Sequence, residues 1–256
     1  MHQDDIERYE IYAPRGHDGP EQQDFKERTG NSTFQSTPWT WITLVVLLIL
    51  YPVQALIFGE DAPELLRSLN EGMRLVLLYS TVIMLWMLFL LVLWTTQKEQ
   101  TDFKGIGYTR FKPIHIAWGL TFVLVANLIL SGLAWTLAKV GLPMPGEIGL
   151  LIPESLHGKI LWVFVAVTAG VCEETAFRGY LMTRLRLLHG LNSWVVPTIL
   201  SALSFGICHS YQGIPGLIVI TTYGLMFSLL YIRTGSIWPC IIAHFFQDFS
   251  ALFIPQ

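Results

Sequence analysis

From Trp39 to Phe58 the chain carries no Asp, Glu, Lys or Arg, and the same holds from Leu75 to Thr96 and from Ile114 to Ala138. Crossing the hydrocarbon core of a bilayer takes about 20 apolar residues in a helix. The repetition of such runs therefore predicts an all-α protein, a polytopic transmembrane helical bundle. Composition agrees, with 52% hydrophobic and 14% charged residues among 256 and a mean hydropathy of +0.49. A soluble domain of this length carries nearer a quarter charged residues. The composition leaves no room for a separate soluble domain and gives no basis for nucleic-acid binding; the bilayer itself is the expected partner.

About seven spans are expected: 39–58, 73–96, 114–138, 156–188, 193–210, 214–233 and 237–254. Residues 1–38 hold eight acidic and four basic side chains with several Gly and Pro, and read as a flexible polar tail without the apolar stretch of a signal peptide. The organisation is then a tail over 1–38, three N-terminal spans over 39–140, and a C-terminal core over 155–254, with a Pro/Gly-rich connector at 141–153. Lys26 and Arg28 precede the first span, Lys98, Lys104, Arg110 and Lys112 follow the second, Arg184 and Arg186 flank the turn after the fourth, and Arg233 follows the sixth. The alternate loops are poorer in Lys and Arg. That bias predicts a plasma-membrane protein with a cytoplasmic N-terminus, where the Asn31 sequon is irrelevant. Cys172, Cys208 and Cys240 all lie in apolar segments, so a disulfide framework is not expected.

Against this background the adjacent Glu173 and Glu174 stand out, directly after the charge-free stretch Ile160 to Val171. Insertion of an ionisable side chain at bilayer depth costs roughly 2.5–3.5 kcal/mol, so such groups are read as functional or paired. Arg178 lies four residues after Glu174 and is its natural partner on one helix face, either a packing device or part of a site. His209, His244 and Asp248 are further polar residues in apolar segments. Glu173 lies 18 residues before Leu191 and His209 lies 18 after it; two antiparallel helices turning there put both about 27 Å from the turn. By the same rise, His244 is about 14 Å and Asp248 about 20 Å from Gly235. The polar set can therefore meet in one layer. His115, His157, Gln54 and Asn127 are isolated, with no site inferred; His115 and His157 suit hydrogen bonds near span ends, and the cysteines suit helix packing.

Three segments also resemble a known family. Glu173-Glu174-Thr175-Ala176-Phe177-Arg178, followed by Gly179-Tyr180-Leu181, is similar to the EExxxR signature of the CPBP family of CAAX-protease and bacteriocin-processing intramembrane proteases. Phe205-Gly206-Ile207-Cys208-His209 resembles its FxxxH motif, and His244-Phe245-Phe246-Gln247-Asp248 its HxxxN or HxxxD motif. The similarity covers about 155–252. It implies an endopeptidase acting on a membrane-associated peptide or protein, of the prenylated CAAX type or bacteriocin-like. Glu173 would be the base that activates water, His209 its partner at the water, and His244 with Asp248 the transition-state stabilisers, supported by Glu174, Arg178 and Phe205.

The family has been described both as metalloproteases and as using a metal-free, glutamate-activated water. An ionised Asp248 cannot donate to an oxyanion as Asn does. It suits a ligand set with Glu173, His209 and His244, one that zinc would accept, and the metal-capable reading is favoured on that ground. The rivals are a non-proteolytic binding or immunity protein that keeps the motifs for structure, and a proton-coupled transporter. The latter is weakened by the lack of inverted repeats.

Overall fold

A computed structural model describes residues 34–59, 62–145, 149, 151–188 and 193–253. Residues 1–33, with Lys26, Arg28 and Asn31, lie outside that set, as do Leu191 at the expected turn and Ile254 at the expected end of the last span. The described elements are all helical. Eight helices follow in order: α1 Pro38–Gly59, α2 Ala62–Ser68, α3 Glu71–Lys98, α4 Ile114–Lys139, α5 Leu156–Leu188, α6 Val195–Ile207, α7 Gly213–Thr234 and α8 Trp238–Ser250.

Their ends follow local chemistry. Thr37 caps α1 with a reciprocal Thr37–Thr40 box, Asn70 caps α3 by accepting from the Met73 N–H, and Ser155 caps α5 by accepting from Gly158. α1 loosens into a π turn over Val46–Leu50 just ahead of Pro52, whose missing N–H interrupts the α ladder. Gly235, at φ 60°, ends α7 in the left-handed conformation.

Among the described residues, five helices are long and apolar enough to cross a membrane: α1, α3, α4, α5 and α7 (with its leading turn, Ser210–Thr234). The expected fifth and seventh spans are instead the 13-residue helices α6 and α8, each about 20 Å long and short of the ~30 Å core. α6 stops at Ile207 because the chain turns through Cys208 and a 3₁₀ segment, Ser210–Gln212, into Gly213 at φ 68°. Gly213 and Pro215 therefore mark a turn.

α5 is the central helix, with 61% of its most apolar window buried, against 11% for α4. α3 and α8 pack on it, α8 is held between α5 and α4, and α6 lies along α7. Leu124 and Leu128 on α4 are 74% and 77% exposed, which is how a lipid-facing surface looks when no lipid surrounds it.

One expectation about charge fails. Arg184 and Arg186 serve above as loop cations, but both are buried, Arg184 fully: its Nε donates to Glu99 Oε2 at 2.8 Å, and Glu99 Oε1 accepts from Tyr180 and Thr40, each at 2.8 Å. α5 thus passes the end of α3 at Tyr180, well before its own end. Measured from this layer Glu173 is about 10 Å along the helix, since seven residues separate it from Tyr180; the turn at Leu191, from which about 27 Å is counted above, lies outside the described residues.

Candidate active site

Glu173 and Glu174 end the first α-helical stretch of α5, and the backbone widens into a π turn over Thr175–Leu181 that carries Arg178 before α-helix resumes at Met182. The Tyr108 hydroxyl, from the loop before α4, sits 2.7 Å from Thr175 Oγ1 at the start of that turn. Arg178 Nη1 donates to Glu174 Oε1 at 3.0 Å, and both side chains are fully buried. The guanidinium also donates to the Gly224 carbonyl at 3.4 Å and lies over the rings of Phe205 (4.3 Å) and Phe227 (4.9 Å). A carboxylate, a carbonyl dipole and two aromatic faces therefore share one buried cation.

His244 completes this group from α8. Its Nδ1 is 2.8 Å from Glu174 Oε1, the same oxygen that holds Arg178. A carboxylate accepts, so Nδ1–H is the donor, and Nε2 is turned towards the other two acids. Nε2 stands 3.8 Å from Glu173 Oε2 and 3.6 Å from Asp248 Oδ2, too far to bond either. Glu173 Oε2 and Glu174 Oε2 are both buried without a hydrogen-bond partner among the described residues, but only Glu174 is bonded through its other oxygen. An orphaned buried carboxylate oxygen is costly, on the order of 1–3 kcal/mol or more. It is the kind of group a reaction centre keeps. The Asp248 side chain is 31% exposed and that of Glu173 15%, so the two acids lie on the open side of the histidine.

His209 lies beyond the end of α6, in the turn, and not within a helix. Its ring folds back so that Nδ1 meets the Phe205 carbonyl at 2.8 Å and the ring lies tilted against that of Phe205, with centroids 4.7 Å apart. A carbonyl oxygen only accepts, so Nδ1 carries the proton and the neutral ring presents an Nε2 lone pair. Phe205 also meets His244 edge to face at 6.2 Å. His209 interacts electrostatically with His244 and Asp248, and Tyr211 from the same turn with Glu173 and Asp248. Phe205 thus separates and orients the two imidazoles, consistent with its expected packing role.

Close helix approach makes these contacts possible. A Cβ on Gly170, one turn before Glu174, would stand 2.9 Å from the Ile241 carbonyl oxygen of α8. Trp162 Nε1 donates to the Asp248 carbonyl at 2.9 Å, a second tie between α5 and α8.

The structure brings Glu173, Glu174, Arg178, Phe205, His244 and Asp248 together; His209 joins through Phe205 and has no hydrogen bond to any of the acids. Zinc was expected on Glu173, His209, His244 and Asp248. Among the described residues, no three His, Cys, Asp or Glu side chains form a group that could hold a metal ion. Glu174 holds His244 Nδ1 and the Phe205 carbonyl holds His209 Nδ1, which leaves Nε2 of both rings free. Cys172 and Cys240 are buried and Cys208 half-buried, all as free thiols, as the packing reading expects. His157 pairs with Tyr79, while His115 accepts from the Lys112 N–H instead of bonding a carbonyl.

Two polar contacts escape a reading of motifs. Asn127, classed above as isolated, forms a reciprocal amide pair with Gln247 on α8. Glu99 is buried against Arg184. Neither has a local spacing signal, because each partner lies more than 80 residues away in sequence.

Fold and site together define a multi-pass helical membrane protein with an acid–histidine centre inside its C-terminal helices. Residues 155–250 match the family model for Rce1-like type II CAAX prenyl endopeptidases, so this part of the chain is similar to that family's domain, in agreement with the CPBP resemblance of the three motifs. No curated protein and no solved structure is detectably similar to the chain.

Proposed function

We propose that this protein is an intramembrane endopeptidase that hydrolyses a peptide bond of a membrane-anchored substrate, of the prenylated CAAX type, with Glu173 as general base. The observation that carries the reading is the division of labour between adjacent glutamates. Glu174 Oε1 is bound by Arg178 and His244, whereas the Glu173 carboxylate makes no hydrogen bond among the described residues and stands 3.8 Å from His244 Nε2; the Oε2 atom of each is buried and unpartnered.

In this mechanism Glu173 takes a proton from water, and the hydroxide attacks the scissile carbonyl carbon. His209, with its Nε2 lone pair, accepts the second hydrogen bond from that water. His244 is oriented by Glu174 and, when protonated, donates from Nε2 to the developing oxyanion. Asp248 lies beside the same Nε2 and stabilises the imidazolium. Glu173 then returns its proton to the leaving amine, so the proton count closes. The mechanism routes no step through a metal. The Lys98, Lys104, Arg110 and Lys112 loop supports a cytoplasmic N-terminus in the plasma membrane, which would set the acids about 10 Å below the cytoplasmic face.

The test is cleavage of a farnesylated CAAX peptide in liposomes, against the same peptide without the lipid. The parent protein is expected to cleave the lipidated peptide, with or without a chelator, and Glu173→Ala to cleave neither. Equal cleavage by Glu173→Ala would overturn the reading, and loss of parent activity to the chelator would overturn the metal-free step.

A further inference from the structure

α8 bears two of the four candidate catalytic side chains, yet it is only 13 residues long and has few polar anchors. On the α5 side it is held by the His244–Glu174 bond and by Trp162 to the Asp248 carbonyl. Its first residue is tied to the loop before α4, Trp238 Nε1 donating to the Thr109 carbonyl at 2.7 Å, and to α4 itself it is held by one side-chain pair. Asn127 Nδ2 donates to Gln247 Oε1 at 2.9 Å and Gln247 Nε2 returns a bond to Asn127 Oδ1 at 3.2 Å. Asn127 Nδ2 also donates to the Val123 carbonyl at 2.9 Å, which fixes the Asn127 amide on its own helix.

Helix geometry turns this pair into a rotational constraint. At ~100° per residue, Gln247 projects about 60° to one side of His244, and Asp248 about 40° to the other. Aiming Gln247 at α4 therefore aims His244 and Asp248 at α5. The remaining α4–α8 contact is apolar and close: a Cβ on Gly119 would meet Ile242 Cγ2 at 2.7 Å. Apolar packing tolerates a helix sliding or turning, because hydrocarbon meets hydrocarbon either way. A two-bond amide pair tolerates neither, since in lipid each freed N–H or C=O finds no water.

We propose that Asn127 and Gln247 are positioning residues, an amide clamp that sets the rotation of α8 so that His244 Nδ1 meets Glu174 and Nε2 faces Glu173 and Asp248. The clamp deepens the protease reading, but its geometric part stands without it.

The test uses the full-length protein, ¹⁵N-labelled at histidine, in detergent micelles, with Gln247→Met, Asn127→Leu and the exchange Asn127→Gln/Gln247→Asn. Gln247→Met is nearly isosteric and keeps the question answerable if Asn127→Leu does not fold. The readouts are the low-field Nδ1–H resonance of His244, assigned by its loss in His244→Gln, and kcat and KM on the lipidated peptide. Each single variant is expected to shift or lose the resonance and to lower kcat by roughly 100-fold with KM unchanged. The exchange variant is expected to recover both. An unmoved resonance in the singles overturns the clamp even if the protein is a protease, and so does a parent that shows no such resonance. A parent that cleaves nothing while the resonance follows the pair overturns the protease reading and leaves the clamp standing.

Discussion

His244 is bonded to Glu174 and not to Glu173: its Nδ1 is 2.8 Å from Glu174 Oε1, and Glu173 Oε2 is 3.8 Å from its Nε2. Two identical neighbouring side chains thereby receive different tasks. Removing the Glu174 charge leaves Arg178 buried without its carboxylate, and losing one partner of a buried pair costs about 3–5 kcal/mol. Glu174→Gln is therefore expected to lower the thermal unfolding midpoint markedly in detergent, while Glu173→Gln leaves it near the parent's. Equal midpoints for the two variants would contradict the assignment.

Gly170 lets α5 and α8 approach within contact of backbone atoms. Gly170→Ala forces its methyl group against the Ile241 carbonyl oxygen, and overpacking of this kind costs about 1–3 kcal/mol. The two helices must part, which draws His244 away from Glu174. The expected outcome is lower stability together with a fall in kcat, measured on the purified variant. An unchanged kcat would mean that the crossing can relax without moving the site.

Glu99 and Arg184 form a second buried pair, distant from the acids. Arg184→Leu alone leaves a buried carboxylate whose remaining donors are Tyr180 and Thr40, and is expected to destabilise by about 3–5 kcal/mol. Glu99→Leu/Arg184→Leu removes both charges, and apolar replacement of a whole buried pair is often neutral. Denaturant titration of the three proteins checks this: the double variant should recover most of the loss. A double variant as unstable as the single would assign the pair a role beyond mutual neutralisation.

Asp248 is the most exposed of the site's acids, and its carboxylate makes no hydrogen bond among the described residues. Asp248→Asn keeps the shape, can donate to an oxyanion, and removes one negative charge beside His244. Activity within about 10-fold of the parent is expected, since only a charge–charge contribution near 1.4 kcal/mol is at stake. A loss of several orders of magnitude in the peptide-cleavage assay would give the carboxylate a direct part in the chemistry.

The long apolar runs define α1, α3, α4 and α5 to within two or three residues because length and hydropathy are local properties. The shortness of α6 and α8 is not local. Their apolar residues continue past Ile207 and Ser250, and only the turn at Cys208–Gly213 and the packing of α8 against two neighbours show where they stop. Glu174 and Arg178 could be paired by their spacing, whereas the choice of Glu174 over Glu173 for His244 depends on the rotation of α8. Asn127 looks isolated in the sequence for the same reason, as its partner is 120 residues away. The zinc expectation rested on donor types alone, and donor types do not reveal whether three of the side chains gather closely enough to share an ion.

The central claim is that Glu173, free of structural duty, activates the water. Single-turnover cleavage of the lipidated peptide by parent and Glu173→Gln, reconstituted at equal folded concentration, tests it most directly. The account expects the variant to bind the peptide as the parent does and to cleave it at least 100-fold more slowly, in line with the loss of a general base. Cleavage by Glu173→Gln at a rate close to the parent's would contradict it.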